Sequence, residues 1–353
     1  MIEKKSLQEH EFFMKRCLEL ASAGLGYVAP NPLVGAVVVC DNKIIGEGFH
    51  RKYGGDHAEV NAVRAVKKQV LLAKSTLYVN LEPCAHMGKT PPCTDLILEK
   101  GIPRVVIGTT DPNALVSGRG IEKLKRAGVD VIQNVLPGEC RELNKRFFTF
   151  HEKKRPFIIL KWAQTSDGFM DLARKPGEPV GVNWISNPLS RKLVHKWRAE
   201  EQAIMAGTDT ILFDDPELTL RLWRGNPPLR IVIDRKLRIP KSAKVLNGSV
   251  RTLLYNEKQS KTAGNTEFVK VETNGNIFGM IFRDLYDREI LSVIVEGGKK
   301  VLEYLIENEL WDEARVFVGE KTFENGLKAP AMVIKPANSV EILTDKLLFY
   351  RKT

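Results

Sequence analysis

The chain of 353 residues carries 54 Lys and Arg against 43 Asp and Glu, a net charge of +11, with 43% hydrophobic and 27% charged residues. That length exceeds one ordinary hydrophobic core and suits two domains, and the composition is that of a globular protein. No apolar run reaches the roughly 20 residues of a bilayer span, and the opening MIEKKSLQEHEFF lacks the apolar stretch of a signal peptide, so a cytoplasmic protein with no membrane partner is expected.

In chain order, EFFMKRCLELA has an apolar stripe at Phe12, Phe13, Cys17, Leu18 and Leu20 and predicts a helix. LVGAVVVC reads as a buried strand, turned by DNK into a second strand, IIGEGFH. A helix follows from about His57 with Val60, Val63, Val66 and Val70 facing inward. TLYVN is a strand, TDLILEK a helix, RVVIGT a strand, IEKLKRAG a helix and VDVIQN the last strand of this half, an α/β layering. The charged FHEKKRPF near 150–156 suits a linker, which divides the chain into 1–150 and 151–353. Beyond it, FIILKWA is a strand and Ser186-Asn187-Pro188 opens a helix. Strands at AIMAG, RIVID, TLLYN, FVKVE, SVIVEGG and ARVFVG alternate with helices near 276–287 and 299–309. VEILTDKLLFYRK looks like a closing strand, so a second α/β domain is expected.

Five cysteines, an odd number, argue against a disulfide scaffold and leave metal ligation or buried thiols. The positive charge is shared, +5 over 1–150 and +6 over the rest, without a basic tail. That spread disfavours nucleic acid and points to small phosphorylated ligands.

HAEV and EPCAHMGKTPPC together supply His57, Cys84 and Cys93, the imidazole and thiolates of a catalytic zinc site with one position left for water. Glu59 lies two residues past His57, within reach of that water without being a ligand. The order H-x-E…P-C…C is the zinc-deaminase signature, in which the Glu shuttles protons. His86 is expected to face solvent or substrate, and Cys17, Cys40 and Cys140 belong to the core.

PNPLVGAVVV (30–39), GEGFHRKYGGDHAEV (46–60) and EPCAHMGKTPPC (82–93) resemble the deaminase half of the bifunctional riboflavin-biosynthesis deaminase/reductases, whose two cysteines are separated by eight residues as here. The resemblance implies a cytidine-deaminase-like three-layer α/β/α fold. It also implies one Zn2+ and hydrolytic conversion of 2,5-diamino-6-(5-phosphoribosylamino)pyrimidin-4(3H)-one to the corresponding uracil. Asn31 and His50 would then meet the substrate ring, and Lys89 its phosphate. Asn61 stands where most members carry a His, which removes a potential cation.

KWAQTSDG (161–168), NWISNPLSRKLVHKWRAE (183–200), AGTDTILFDDPELTLR (206–221) and VEGG (295–298) resemble, in order, the reductase half of the same family. This implies a dihydrofolate-reductase-like fold, NADPH, and hydride delivery to C1′ of the opened sugar. By motif, Ala163, Trp184, Thr210 and Asp214 would line the NADPH site, with Gly298, Lys299, Lys300, Val301, Leu302, Glu303 and Tyr304 under its phosphates. Val182, Arg198, Leu218, Arg221 and Glu296 would meet the substrate, the two arginines clamping its phosphate. A homo-oligomer is expected. The competing reading is a nucleic-acid-editing zinc deaminase with a C-terminal binding module.

Overall fold

Ser6 starts the first helix: its hydroxyl accepts the Glu9 N–H while the Glu9 carboxylate accepts the Ser6 N–H, a capping box that begins α1 at Leu7–Ser22. The computed structural model describes residues 6–87, 91–113, 117–174, 180–272 and 275–352. It divides into two units, Met1–Lys154 and Arg155–Thr353.

The first unit continues with β1 (Gly35–Cys40), β2 (Lys43–Phe49), α2 (Ala58–Ala65), β3 (Thr76–Leu81), α3 (Cys93–Glu99), β4 (Arg104–Thr109), α4 (Arg119–Arg126), β5 (Asp130–Ile132), α5 (Pro137–Leu143) and α6 (Lys145–Lys153). Its sheet runs β2-β1-β3-β4-β5, antiparallel at β2-β1-β3 and parallel from β3 to β5. Alternation along β1 sends Ala36 and Val38 into a core with Ala58, Ala62 and Val63 of α2. Val37 and Val39 go to the opposite face, with Phe13, Met14 and Cys17 of α1. Both faces are covered, so β1 is wholly buried and reads as an unbroken apolar run.

In the second unit come β6 (Phe157–Gln164), β7 (Phe169–Asp171), α7 (Pro188–Glu200), β8 (Ala203–Gly207), α8 (Thr208–Asp214), β9 (Leu229–Ile233), β10 (Thr252–Asn256), β11 (Lys261–Ala263) and β12 (Thr266–Lys270). They are followed by α9 (Ile277–Asp287), β13 (Ser292–Val295), α10 (Lys299–Glu307), β14 (Glu313–Val318), β15 (Leu327–Lys328), β16 (Asn338–Ile342) and β17 (Asp345–Arg351). Ten strands form one sheet in the order β11-β12-β10-β9-β8-β13-β6-β14-β17-β16, parallel from β12 to β14 and antiparallel at both ends. Asn187 caps α7, its side chain accepting the Leu189 and Ser190 N–H groups, with Pro188 in the first turn as the sequence predicts. One sheet face packs on α9 and α10, the other on α7 and α8.

Four sequence expectations change. The buried stripe of α1 is His10, Phe13, Met14, Cys17 and Ala21, leaving Phe12 exposed. Helix α2 ends at Ala65, and Val70 is 79% exposed in a short 3-10 turn rather than inward. The linker segment is largely the last turn of α6, held in place by buried Phe147, Phe148 and Phe150. The closing strand is a hairpin, β16 and β17, turned at Leu343 with φ of 54°. No helix among the described residues is long and apolar enough to cross a membrane.

Candidate active sites

His57 is the residue before α2, Cys84 lies just past the end of β3, and Cys93 opens α3. Two helix starts and one strand end thus deliver three donors to one point. His57 Nδ1 is 3.2 Å from Cys93 Sγ and 3.6 Å from Cys84 Sγ, and all three donor atoms lie within 4.8 Å of one another. Tetrahedral zinc holds N and S ligands about 3.6 Å apart, so the set fits that ion. The Cys84 thiol is held low by its hydrogen bond with Cys93, against burial, and further by His57. The Cys93 backbone N–H also points at Cys84 Sγ, 3.3 Å away. Glu59 sits in the first turn of α2 with 3% exposure, and burial pushes its carboxyl up while His57 opposes the shift.

Beside this cluster, His50 Nδ1 lies 2.9 Å from the Asp56 carbonyl and Nε2 lies 3.0 Å from Asn31 Nδ2. A carbonyl only accepts, so Nδ1 carries the proton and Nε2 accepts from the Asn31 amide. Burial lowers the His50 pKa, in keeping with a neutral ring. The His50 and His57 rings meet edge-on at 5.6 Å. Asn61 donates to the Phe49 and Asp56 carbonyls, tying down the loop that carries His50. His86 is exposed, and Lys89 lies outside the described residues.

Sequence reasoning passed over Glu82. Its buried carboxylate accepts four backbone N–H groups, those of Asp111 (3.3 Å), Gly118 (2.9 Å), Gly120 (2.9 Å) and Ile121 (3.3 Å). It thereby fastens the start of α4 to the turn that presents Cys84. Gly120 is required there, because a Cβ would meet the Pro83 carbonyl oxygen at 2.1 Å. A carboxylate at the end of a wholly buried strand was the available signal.

In the second unit a cleft of about 1220 Å³ lies along the carboxyl ends of β6, β13, β8 and β9, the usual edge for ligands in parallel sheets. Ala163, Val182, Trp184, Thr210, Asp214 and Glu296 line it, as do Gly298, Lys299, Lys300, Val301, Glu303 and Tyr304. The turn from β13 into α10 brings the backbone close. A Cβ on Gly297, whose φ is +156°, would lie 2.7 Å from Thr210 Oγ1. Open N–H groups of α10, with Lys299 and Lys300, suit an anionic cofactor. Asp214 faces Arg174 at 3.2 Å; burial raises its carboxyl to about 6 despite that partner. Asp215 instead ends α8 and accepts the Lys244 N–H.

The other expected contacts sit elsewhere. Leu302 is wholly buried in the core, Leu218 is 3% exposed in the opposite core, and neither lines the cleft. Arg198 is turned onto Glu296 through two hydrogen bonds of 2.6 and 2.8 Å, with a third to the Thr219 carbonyl. Lys161, a lone charge within the apolar strand FIILKWA, approaches Glu296 at 3.4 Å from the cleft side. Burial raises the Glu296 pKa but Arg198 and Lys161 outweigh it, leaving the carboxyl at about 2. Arg221 is half exposed and pairs with Glu217 at 3.1 Å.

Residues 7–109 match the cytidine and deoxycytidylate deaminase zinc-binding region, and residues 156–325 match the RibD C-terminal domain. The riboflavin biosynthesis protein RibD of Aquifex aeolicus is 43% identical over 89% of this chain and 88% of its own length. That of Escherichia coli is 34% identical over 89% and 88%. Among solved structures, a diaminohydroxyphosphoribosylaminopyrimidine deaminase/5-amino-6-(5-phosphoribosylamino)uracil reductase from Thermotoga maritima superposes with a TM-score of 0.87 at 41% identity. It covers 98% of this chain and 99% of that one.

Proposed function

The chain belongs to the RibD family of bifunctional riboflavin-biosynthesis deaminase/reductases, and from that premise we propose how its own residues divide the two reactions. The first unit has the cytidine-deaminase-like fold and deaminates the diaminopyrimidinone phosphate. The second has the dihydrofolate-reductase-like fold and reduces the ribosyl group of the product with NADPH. Because the C-terminal half matches the RibD domain, the nucleic-acid-editing alternative is set aside.

The observation that carries the first assignment is the convergence of His57, Cys84 and Cys93 beside buried Glu59. Those three residues would hold zinc, which supplies a water acidic enough to ionise near neutral pH. Glu59 takes a proton from the attacking water and passes it to the ring nitrogen, then takes the proton of the newly added hydroxyl and gives it to the departing amine, so that water and substrate become the uracil and ammonia. Its buried, raised carboxyl suits a group that must hold a proton between those transfers. Asn31, with one N–H committed to His50, keeps its carbonyl and second N–H for the ring edge. Lys89 meets the phosphate in this proposal.

In the second unit NADPH supplies the hydride, and the protein holds its nicotinamide against the sugar carbon. Ala163, Trp184, Thr210 and Asp214 line the cofactor's path, with the α10 start beneath its pyrophosphate. Glu296 and Val182 face the sugar. Arg198 and Leu218 act from behind, Arg198 by keeping Glu296 ionised, and Arg221 remains for the phosphate. Small phosphorylated pyrimidines are the ligands of both units; a homo-oligomer in the cytoplasm completes the proposal, with light scattering as the test of assembly. The decisive assay supplies the diaminopyrimidinone phosphate and NADPH and follows ammonia release and nicotinamide absorbance. Absence of both signals in zinc-loaded protein would overturn the reading.

A further inference from the structure

The loop between β2 and α2 begins with His50 and runs to Asp56, next to the metal ligand His57, and Asn61 closes its base. Gly48 lets α2 lie directly on β2, since a Cβ there would meet the Ala62 nitrogen at 2.4 Å and the Asn61 Cβ at 2.6 Å. That contact brings the Asn61 amide between the carbonyls on either side of the loop. Its Nδ2 lies 3.0 Å from the Phe49 oxygen and 3.4 Å from that of Asp56. The Asp56 oxygen therefore receives two donors, Asn61 Nδ2 and His50 Nδ1 at 2.9 Å, while the Asp56 carboxylate is held separately by Arg64 at 2.7 Å. A chain of three links results: Asn61 to the Asp56 carbonyl, that carbonyl to His50, and His50 Nε2 to the Asn31 amide at 3.0 Å.

Resting on the deaminase reading, we infer that Asn61 is a positioning residue for the first reaction. It fixes the Asp56 carbonyl against His50, keeps His50 Nε2 an acceptor, and so turns the Asn31 carbonyl toward the substrate ring. The reasoning is one of donors and acceptors. An imidazole whose Nδ1–H is spent on a fixed carbonyl has only a lone pair at Nε2, which takes an Asn31 N–H. Asn31 is then committed to offering its carbonyl as an acceptor, and the ring edge it reads must present an N–H. Without Asn61 the Asp56 carbonyl is free to turn, and the Nε2–H form of His50 becomes accessible. Asn31 must then flip its amide to accept from His50, which leaves only N–H groups for the ring.

Asn61→Asp tests this directly, because it keeps the size of the side chain and replaces the donor by an acceptor; Asn61→Ala removes both. Each should raise KM for the diaminopyrimidinone phosphate about tenfold, the worth of one hydrogen bond, with kcat within about threefold and one zinc per chain retained. In an Asn31→Ala background the same Asn61→Asp change should add less than about twofold, because its effect passes through Asn31. Nitrogen-15 spectra of histidine-labelled protein read the relay itself, with the His50 signals assigned among the six histidines by His50→Gln. They should show the Nδ1–H form in the parent and a mixture of forms in Asn61→Asp. A full additional loss in the Asn31→Ala background, or an unchanged His50 spectrum in Asn61→Asp, overturns the assignment. So does zinc below one per chain in both Asn61 variants, which would make Asn61 a support of His57. A parent protein that releases no ammonia removes the deaminase reading instead, and its histidine spectrum, which needs no substrate, still decides the relay.

Discussion

In the first unit three donor atoms from positions 57, 84 and 93 lie within 4.8 Å of one another, with one buried carboxyl beside them. In the second, a cleft of about 1220 Å³ collects side chains from Lys161 to Leu327, most of its charges already paired. Catalysis by the first depends on one proton carrier, so a single atom change should silence it. The second distributes binding over a sheet edge, where a change acts through the fold or through affinity. Glu59→Gln probes that contrast most strongly. Deamination should fall about a thousandfold, the range of a lost general acid–base. Elemental analysis should still find one zinc per chain, and reduction of the deaminated intermediate should be unaffected. Retained ammonia release would take Glu59 out of the mechanism.

The counterpart in the second unit is Arg198→Leu, which strands Glu296 at 5% side-chain exposure with only Lys161 at 3.4 Å. Breaking a buried pair on one side costs about 3–5 kcal/mol. The expected result is a lower unfolding midpoint for the second unit while the first keeps its deaminase activity. Should the variant be as stable as the parent and lose only substrate affinity, Arg198 would be a phosphate ligand, as its motif implies, rather than a support for Glu296.

The same contrast governs what the chain discloses in one dimension. The metal site was legible because its ligands sit in two short motifs, each attached to a helix start or strand end that periodicity also reveals. Arg198 and Glu296 are 98 positions apart, and nothing local to either says that they meet, so the motif marked both as substrate contacts. Leu302 follows Gly298 and so reads as a neighbour of the phosphates, while helical rotation turns its side chain into the core. Phe12 and Phe13 are adjacent and equally apolar; only the packing on β1 decides that Phe13 is inside. Glu82 escaped because an acid next to Pro and Cys looks like a turn until its four N–H partners are seen.

Glu82 therefore offers a smaller, indirect test. Glu82→Ala leaves four buried or partly buried N–H groups without their acceptor, a loss of about 2–3 kcal/mol, concentrated where α4 meets the Cys84 turn. Zinc should dissociate faster into a chromogenic chelator, and deamination should drop because metal is lost. Added zinc should restore part of the activity, which it will not do for Glu59→Gln. If zinc release is unchanged, the clamp serves the fold alone.

The smallest effect expected is a pH dependence confined to the second unit. The Arg221 N–H donates to His195 Nδ1 at 3.1 Å, so that nitrogen must keep its lone pair. Burial first, then Arg198 and Arg221, lower the His195 pKa from 6.5 to about 4. Between those values the unfolded chain binds a proton that the folded unit refuses, so stability falls as pH drops from 6.5 toward 4. Glu296 acts below that. Its carboxyl is held at about 2 against an ordinary 4.5, so its contribution is complete above 4.5 and lost as pH falls toward 2. Tryptophan emission isolates the unit, because all five tryptophans lie beyond residue 155. Asp214, raised to about 6, acts in the opposite direction between 6 and 3.8, so the His195 contribution is read as a difference. Urea midpoints of His195→Gln relative to the parent should rise as pH falls from 6.5 to 4, with the loss below 4.5 common to both. A slope unchanged in the variant would assign the upper window to another group.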